Sequence, residues 1–143
     1  MSIRNDIAEN VVAVLGDSND PKPIYVTRES VDVDELARTQ FPAVVVRTTD
    51  ETRQELTMLG ETGSRFSVMN VVCECYVTGN EIDIQRNNIA ERVEEALNVD
   101  LTRGGVAKNT KLIELTVDQE IDKRFGKISL TFEIEYIYTR GAA

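Results

Sequence analysis

The 143-residue sequence contains no histidine, two cysteines and no long apolar run. Without histidine it lacks the commonest general base and the usual nitrogen ligand of zinc. Gly16, Asp17 and Ser18 resemble the start of a serine-hydrolase motif, but no imidazole exists to activate Ser18, so the stretch reads as a turn. Cys73 and Cys75 lie one residue apart in an alternating apolar stretch. In a strand such side chains share a face, with Cα atoms roughly 6.5 to 7 Å apart, near or beyond the limit of disulfide geometry. Both are therefore expected as reduced core residues, and a zinc site built on them would need carboxylates from elsewhere. A membrane span needs roughly 20 consecutive apolar residues, and no segment approaches that. Met1 to Leu15 lacks the basic, apolar and small-residue order of a secretory signal, so no membrane or secretory route is expected.

Acidic charge is abundant. Sixteen Lys plus Arg against 25 Asp plus Glu leave a formal net of -9. Binding nucleic acid through its phosphates requires clustered cations that displace counterions, and this balance opposes it, although a wall past which DNA slides remains compatible. Asp32, Asp34 and Glu35 form an acidic cluster without the ordered spacing of a calcium loop. Gly60, Gly63, Gly104 and Gly105 neither precede the Lys and Ser or Thr of a P-loop nor form GxGxxG, and they read as turn glycines. No cofactor, metal or catalytic residue is assigned; sequence alone does not reveal whether two of the acids meet in a cleft. Two small basic groups stand out: Arg103, Lys108 and Lys111 around one loop, and Lys123 and Arg124 beside Phe125 at the last hairpin tip. They read either as solubilising charge or as a contact patch for an acidic neighbour, with Phe125 as its apolar anchor.

At this length one domain is expected. Ser2 is placed to cap a helix whose Ile3, Ile7, Val11, Val14 and Leu15 follow the 3.6-residue period, with Gly16 as its stop. Asp17 to Pro23 has turn chemistry, Ile24 to Thr27 is a short β-prone run, and Ser30 to Thr39 has room for a brief helical turn. Ala43 to Arg47, with three consecutive valines, predicts a strand covered on both faces. Thr52 to Leu59 and Arg65 to Thr78 read as a hairpin around the glycine turn, with Met69, Val71, Cys73, Cys75 and Val77 on the core face. Glu81 to Asn98 predicts an amphipathic helix that buries Ile82, Ile89, Val93, Ala96 and Leu97. Its outer face is acidic, with Glu81, Asp83, Glu91, Glu94 and Glu95 outweighing Arg86 and Arg92. A loop from Thr102 to Thr110 leads to a closing hairpin: Lys111 to Glu120, a turn around Asp122 to Gly126, and Lys127 to Thr139. Ile128, Leu130, Phe132, Ile134, Tyr136 and Tyr138 line the buried face of its second arm. This order predicts an α+β fold: a largely antiparallel β-sheet with two main helices packed on it and long hairpins.

Three stretches carry a resemblance to the tail-terminator, or tail-completion, proteins of long-tailed bacteriophages. They are the opening helix IRNDIAENVVAVLG, the Phe-Pro-Ala-Val-Val-Val strand, and the run from SRFSVMNVVCECYVTG through IDIQRNNIAERVEEALN to LIELTVDQEIDKRFGKISLTFEIEYIYT. The likeness is one of size, element order and hydrophobic pattern. It implies a structural virion protein, not an enzyme, that forms a ring, commonly of six copies. Such a ring caps the tail tube, ends its polymerisation and joins it to the head-side neck. The implied partners are further copies of the chain, the tail tube protein and a neck, connector or head-completion protein, with DNA passing unbound. The implied location is the head-proximal end of the virion tail, after assembly in the host cytoplasm. The alternatives are another neck or head-completion subunit, and a small ferredoxin-like module that binds peptide or RNA on an open sheet.

Overall fold

A computed structural model of the chain describes residues 2–18, 23–29, 36, 40–55, 64–117 and 125–139. The elements are α1 (Ile3–Gly16), β1 (Tyr25–Thr27), β2 (Ala43–Glu55), β3 (Ser64–Thr78), α2 (Ile82–Asn98), β4 (Asn109–Val117) and β5 (Phe125–Thr139). The strands form one five-stranded sheet in the order β1-β2-β3-β5-β4. Its pairs are antiparallel except for the parallel β1 and β2. The α+β expectation is met: α1 lies over β1 and β2, and α2 over β3 and β5.

Local chemistry sets both helices. The Ser2 hydroxyl accepts from the Asn5 amide at 3.3 Å, satisfying one of the amides that the first helical turn leaves without a partner. The stripe Ile7, Ala8, Val11 and Leu15 is fully buried. Gly16, expected as the stop, is instead the last helical residue, and Asp17 caps the end in a right-handed conformation. Helix α2 starts after Glu81, whose φ of 57° turns the chain out of β3. It buries Ile82, Ile89, Ala90, Val93 and Leu97. Arg86, expected on the outer face, is only 8% exposed: it lies on the sheet side, reaching outward to an ion pair with Asp83 at 3.5 Å. A long side chain can cover apolar surface with its stem while its head seeks a partner.

Met69, Val71, Cys73 and Cys75 on β3 and Ile128, Leu130, Phe132, Ile134 and Tyr136 on β5 are buried as the alternation predicts. Burying each large aliphatic among them contributes about 1.5–3 kcal/mol. Two corrections concern strands. Ala43–Arg47 and the segment from Thr52 belong to a single 13-residue strand, β2, whose polar middle Thr48 to Glu51 contains a register shift against β3. The polar composition of that middle hid the continuity. Gly126, read as a turn residue, lies in β5 opposite Val77. The expected turn at Ser30 to Thr39 falls, apart from Leu36, outside the described residues, as do residues 56–63.

Glycine at 126 is dictated by helix packing. A Cβ there would come 2.3 Å from Ile82 Cγ2 and 3.3 Å from both Arg86 Cδ and Val77 Cγ2, so the first turn of α2 rests directly on the strand backbone. The other end of the sheet is tied by Glu51, whose carboxylate accepts from Arg4 Nη1 at 2.7 Å, from Tyr136 Oη at 3.0 Å and from Arg53 Nε. Arg4 also donates to the Thr49 carbonyl at 2.8 Å, and Arg53 lies 4.8 Å above the Tyr138 ring. The cluster joins α1, β2 and β5. Burial opposes ionisation of Glu51, but the hydrogen bonds from Arg53, Arg4 and Tyr136 outweigh it and hold the carboxyl below its ordinary value.

Two outcomes are expected. Gly126→Ala must push α2 off the sheet or distort Ile82, and it is expected to destabilise by about 1–3 kcal/mol in urea unfolding. A depressed folded-state pKa at Glu51 means that its contribution is present above the unfolded value of about 4.3 and is lost as pH falls through the folded value. Glu51→Gln should therefore lower stability at pH 7 by about 1–3 kcal/mol. In thermal melts across pH 2 to 7, its acid limb should also be flatter than that of the parent.

Candidate interaction surfaces

The structure separates the residues of the expected basic patch. Lys108 and Lys111 are exposed at the start of β4, where the Lys108 amide donates to the Glu135 carbonyl at 2.6 Å. Arg103, expected beside them at the surface, is instead 1% exposed. Its guanidinium donates to the carbonyls of Leu97 and Asp100, so this cation closes the C-terminus of α2, where carbonyls lack helical partners. Asp100 holds the same loop by accepting from the Thr102 hydroxyl at 2.6 Å and from the Thr102 and Gly104 amides at 2.9 Å each. Those bonds, led by the Thr102 hydroxyl, bring its carboxyl down to about 2. Phe125 stacks on Phe41 with ring centroids 5.8 Å apart, so one of its faces is already occupied within the chain. Lys123 and Arg124 lie outside the described residues.

A surface that the sequence reading missed lies on β4. Leu115 pairs with Leu130 and Val117 with Ile128, so both point to the helix-covered face of the sheet. They are nevertheless 52% and 53% exposed, and Ile113, at the register shift between Leu112 and Glu114, is 44% exposed. Alternation along Ile113, Leu115 and Val117 indicated a strand with one apolar face. Nothing in it indicated that the helices stop short.

The outer face of α2 forms a second surface. Ile84 is 53% exposed, and Asn88, Glu91 and Glu95 continue its stripe at helical spacing. Glu91 and Glu95 stand on the rim of a cleft of about 430 Å³, with Pro42, Val77 and Ile89 also among its lining residues. On the opposite face of the sheet Glu74 forms ion pairs with Arg47 at 2.7 Å and with Lys127 at 3.0 Å, and the Lys127 ammonium lies 5.6 Å over the Tyr76 ring.

Among the described residues no three Cys, Asp or Glu side chains converge as a metal-binding group. Cys73 and Cys75 are unbridged and buried; burial pushes the Cys73 thiol up to about 12 and raises that of Cys75 as well. Neither is poised as a nucleophile, since the thiolate is the reactive form.

No protein-family model and no curated protein sequence matches the chain. Among solved structures, the fold is similar to that of a chain in the "Virion of native gene transfer agent (GTA) particle", with a TM-score of 0.51 and 8% sequence identity. The alignment covers 94% of this chain and 94% of that one. At such low identity the likeness is one of fold, and it extends over nearly the whole of both chains.

Proposed function

We propose that this chain is a structural, non-catalytic subunit of a phage-like virion, and within that class a tail terminator. In this role several copies form a ring, as the family resemblance implies, six being the usual number. The ring caps the head-proximal end of the tail tube, ends its growth and provides the joint to the neck. The observation that carries the reading is the correspondence of fold, over 94% of both chains, with a component of a gene transfer agent virion.

Physical features of the chain fit the role. Closing a ring requires two different patches on each subunit that meet head to tail. An apolar strand edge on β4 and an acidic helix face on α2 are two such unlike surfaces. A formal charge of -9 disfavours adhesion to passing DNA, because phosphates are repelled rather than paired. The absence of histidine leaves no imidazole for acid and base work.

The test is assembly. Light scattering after size exclusion, followed by negative-stain imaging with and without purified tail tubes, is expected to give annular particles or a cap at one end of each tube. Blocked extension of those tubes by added tube protein is the functional readout. A chain that stays monomeric and leaves tube growth unaffected would exclude the terminator role. Binding to a connector but not to tubes would move it to another neck position.

A further inference from the structure

The cleft beside α2 is apolar at its bottom and anionic along one rim. Pro42, just before β2, Val77 at the end of β3 and Ile89 of α2 line it, and Val77 and Ile89 belong to the buried core. At about 430 Å³ it falls within the range of ligand clefts, roughly 300–1,000 Å³. Glu91 and Glu95 stand on its rim one helical turn apart, and both are exposed. Among the described residues neither carboxylate forms an ion pair or a hydrogen bond, whereas Glu51 and Glu74 are each held by two cations. Like charges four residues apart on a helix repel and cost it stability, so folding alone gives no reason for this pair. The Arg92 guanidinium, also in the lining, is drawn to Ser18, donating to its carbonyl at 3.3 Å and to its hydroxyl at 3.0 Å. Asn88 completes the rim with an amide that both donates and accepts.

We propose that this cleft docks a basic, extended segment of a different protein, one in which lysine or arginine alternates with an aliphatic residue. In an extended chain alternate side chains lie roughly 6.6 Å apart. Glu91 and Glu95 arise roughly 6 Å apart along α2, so two cations of such a segment meet them in register. The aliphatic residue between those cations points the other way, toward Pro42, Val77 and Ile89, and the Asn88 amide pairs with the backbone of the segment. Charge sets the sign of the occupant: the rim is anionic and the whole chain carries -9, so acidic peptides and nucleic acid are repelled. A second copy of this chain is disfavoured for the same reason. A free polyamine would neutralise the carboxylates but leave the apolar bottom uncovered. The inference holds whether or not the chain closes into rings.

The experiment measures fluorescence anisotropy of a fluorescein-labelled, amidated peptide Lys-Val-Lys-Val-Lys with the full chain, and circular dichroism checks folding. Saturable binding is expected, weaker as salt rises because the charge pairs are screened. Unlabelled peptide should displace the probe, and the counterpart Glu-Val-Glu-Val-Glu should not. Glu91→Gln with Glu95→Gln is expected to weaken binding by about fivefold or more, since exposed ion pairs contribute modestly. Its thermal midpoint should be unchanged or higher, because the repulsion along α2 is gone. Asn88→Trp, at an exposed helix position, should obstruct the cleft and weaken binding without loss of fold. An absence of binding by the wild type, or equal binding by both variants, overturns the proposal. Displacement by spermidine as effective as by the unlabelled peptide shows that charge alone is read, and the peptide occupant is then wrong. If instead the glutamine variant changes the association state of the chain in light scattering without peptide, the occupant is a second copy and the proposal again fails. Ring formation on tail tubes is a separate measurement, so either result leaves the terminator reading to its own test.

Discussion

Two helices barely span this sheet. A helix with its side chains is about 10 to 12 Å across, so two side by side cover roughly 20 to 24 Å. Strands spaced about 4.8 Å apart make a five-stranded sheet about 24 Å wide, so the helix layer has no margin at the sheet edges. Helix α1 takes the β1 and β2 side and α2 takes β3 and β5; on β4 the core-facing Thr110 and Leu112 are covered, but Leu115 and Val117 at its C-terminal end are left half exposed. That incomplete cover links the fold to the proposed role. An apolar row left uncovered by its own chain is a solubility liability in a monomer and a ready contact in an assembly.

The position of α2 is itself fixed at both ends, which is why its cover does not drift toward β4. At its start, Ile82 meets the bare backbone of Gly126, where no side chain separates helix from strand. At its end, Arg103 spans the carbonyls of Leu97 and Asp100 and carries its charge inside the fold. Glu51 binds Arg4 of α1 to β2 and β5 at the other end of the sheet. These anchors occupy the ends of the helices, and between them the core is filled by aliphatic side chains from β3 and β5.

Much of this was legible in the sequence because periodicity reports burial directly. The alternation on β3 and β5 and the helical stripes of α1 and α2 identified the faces that are in fact buried. What remained hidden depends on neighbours distant in sequence. Polar Thr48 to Glu51 resembles a loop until Glu51 is seen to receive Arg4, Arg53 and Tyr136. Arg103 resembles a surface cation until the end of α2 supplies carbonyls for it. Gly126 resembles a turn residue until Ile82 is placed above it. The β4 row is the clearest case: its pattern says apolar face, but only the width of the helix layer says whether that face is covered.

Charge then governs when such a chain associates. Copies bearing a formal -9 repel one another beyond the reach of any local contact, and at physiological salt the repulsion fades over about 8 Å. The half-exposed Leu115 and Val117 offer only a small contact, and closing a ring with it would require several such contacts to form together. Cooperation of that kind favours association where the subunits are already gathered. For the proposed tail terminator this would be an advantage, since rings that close freely in solution would consume the subunit before a tube end was available. A modest, charge-limited edge on β4 therefore fits a subunit whose assembly is completed on a template better than a larger and greasier one would.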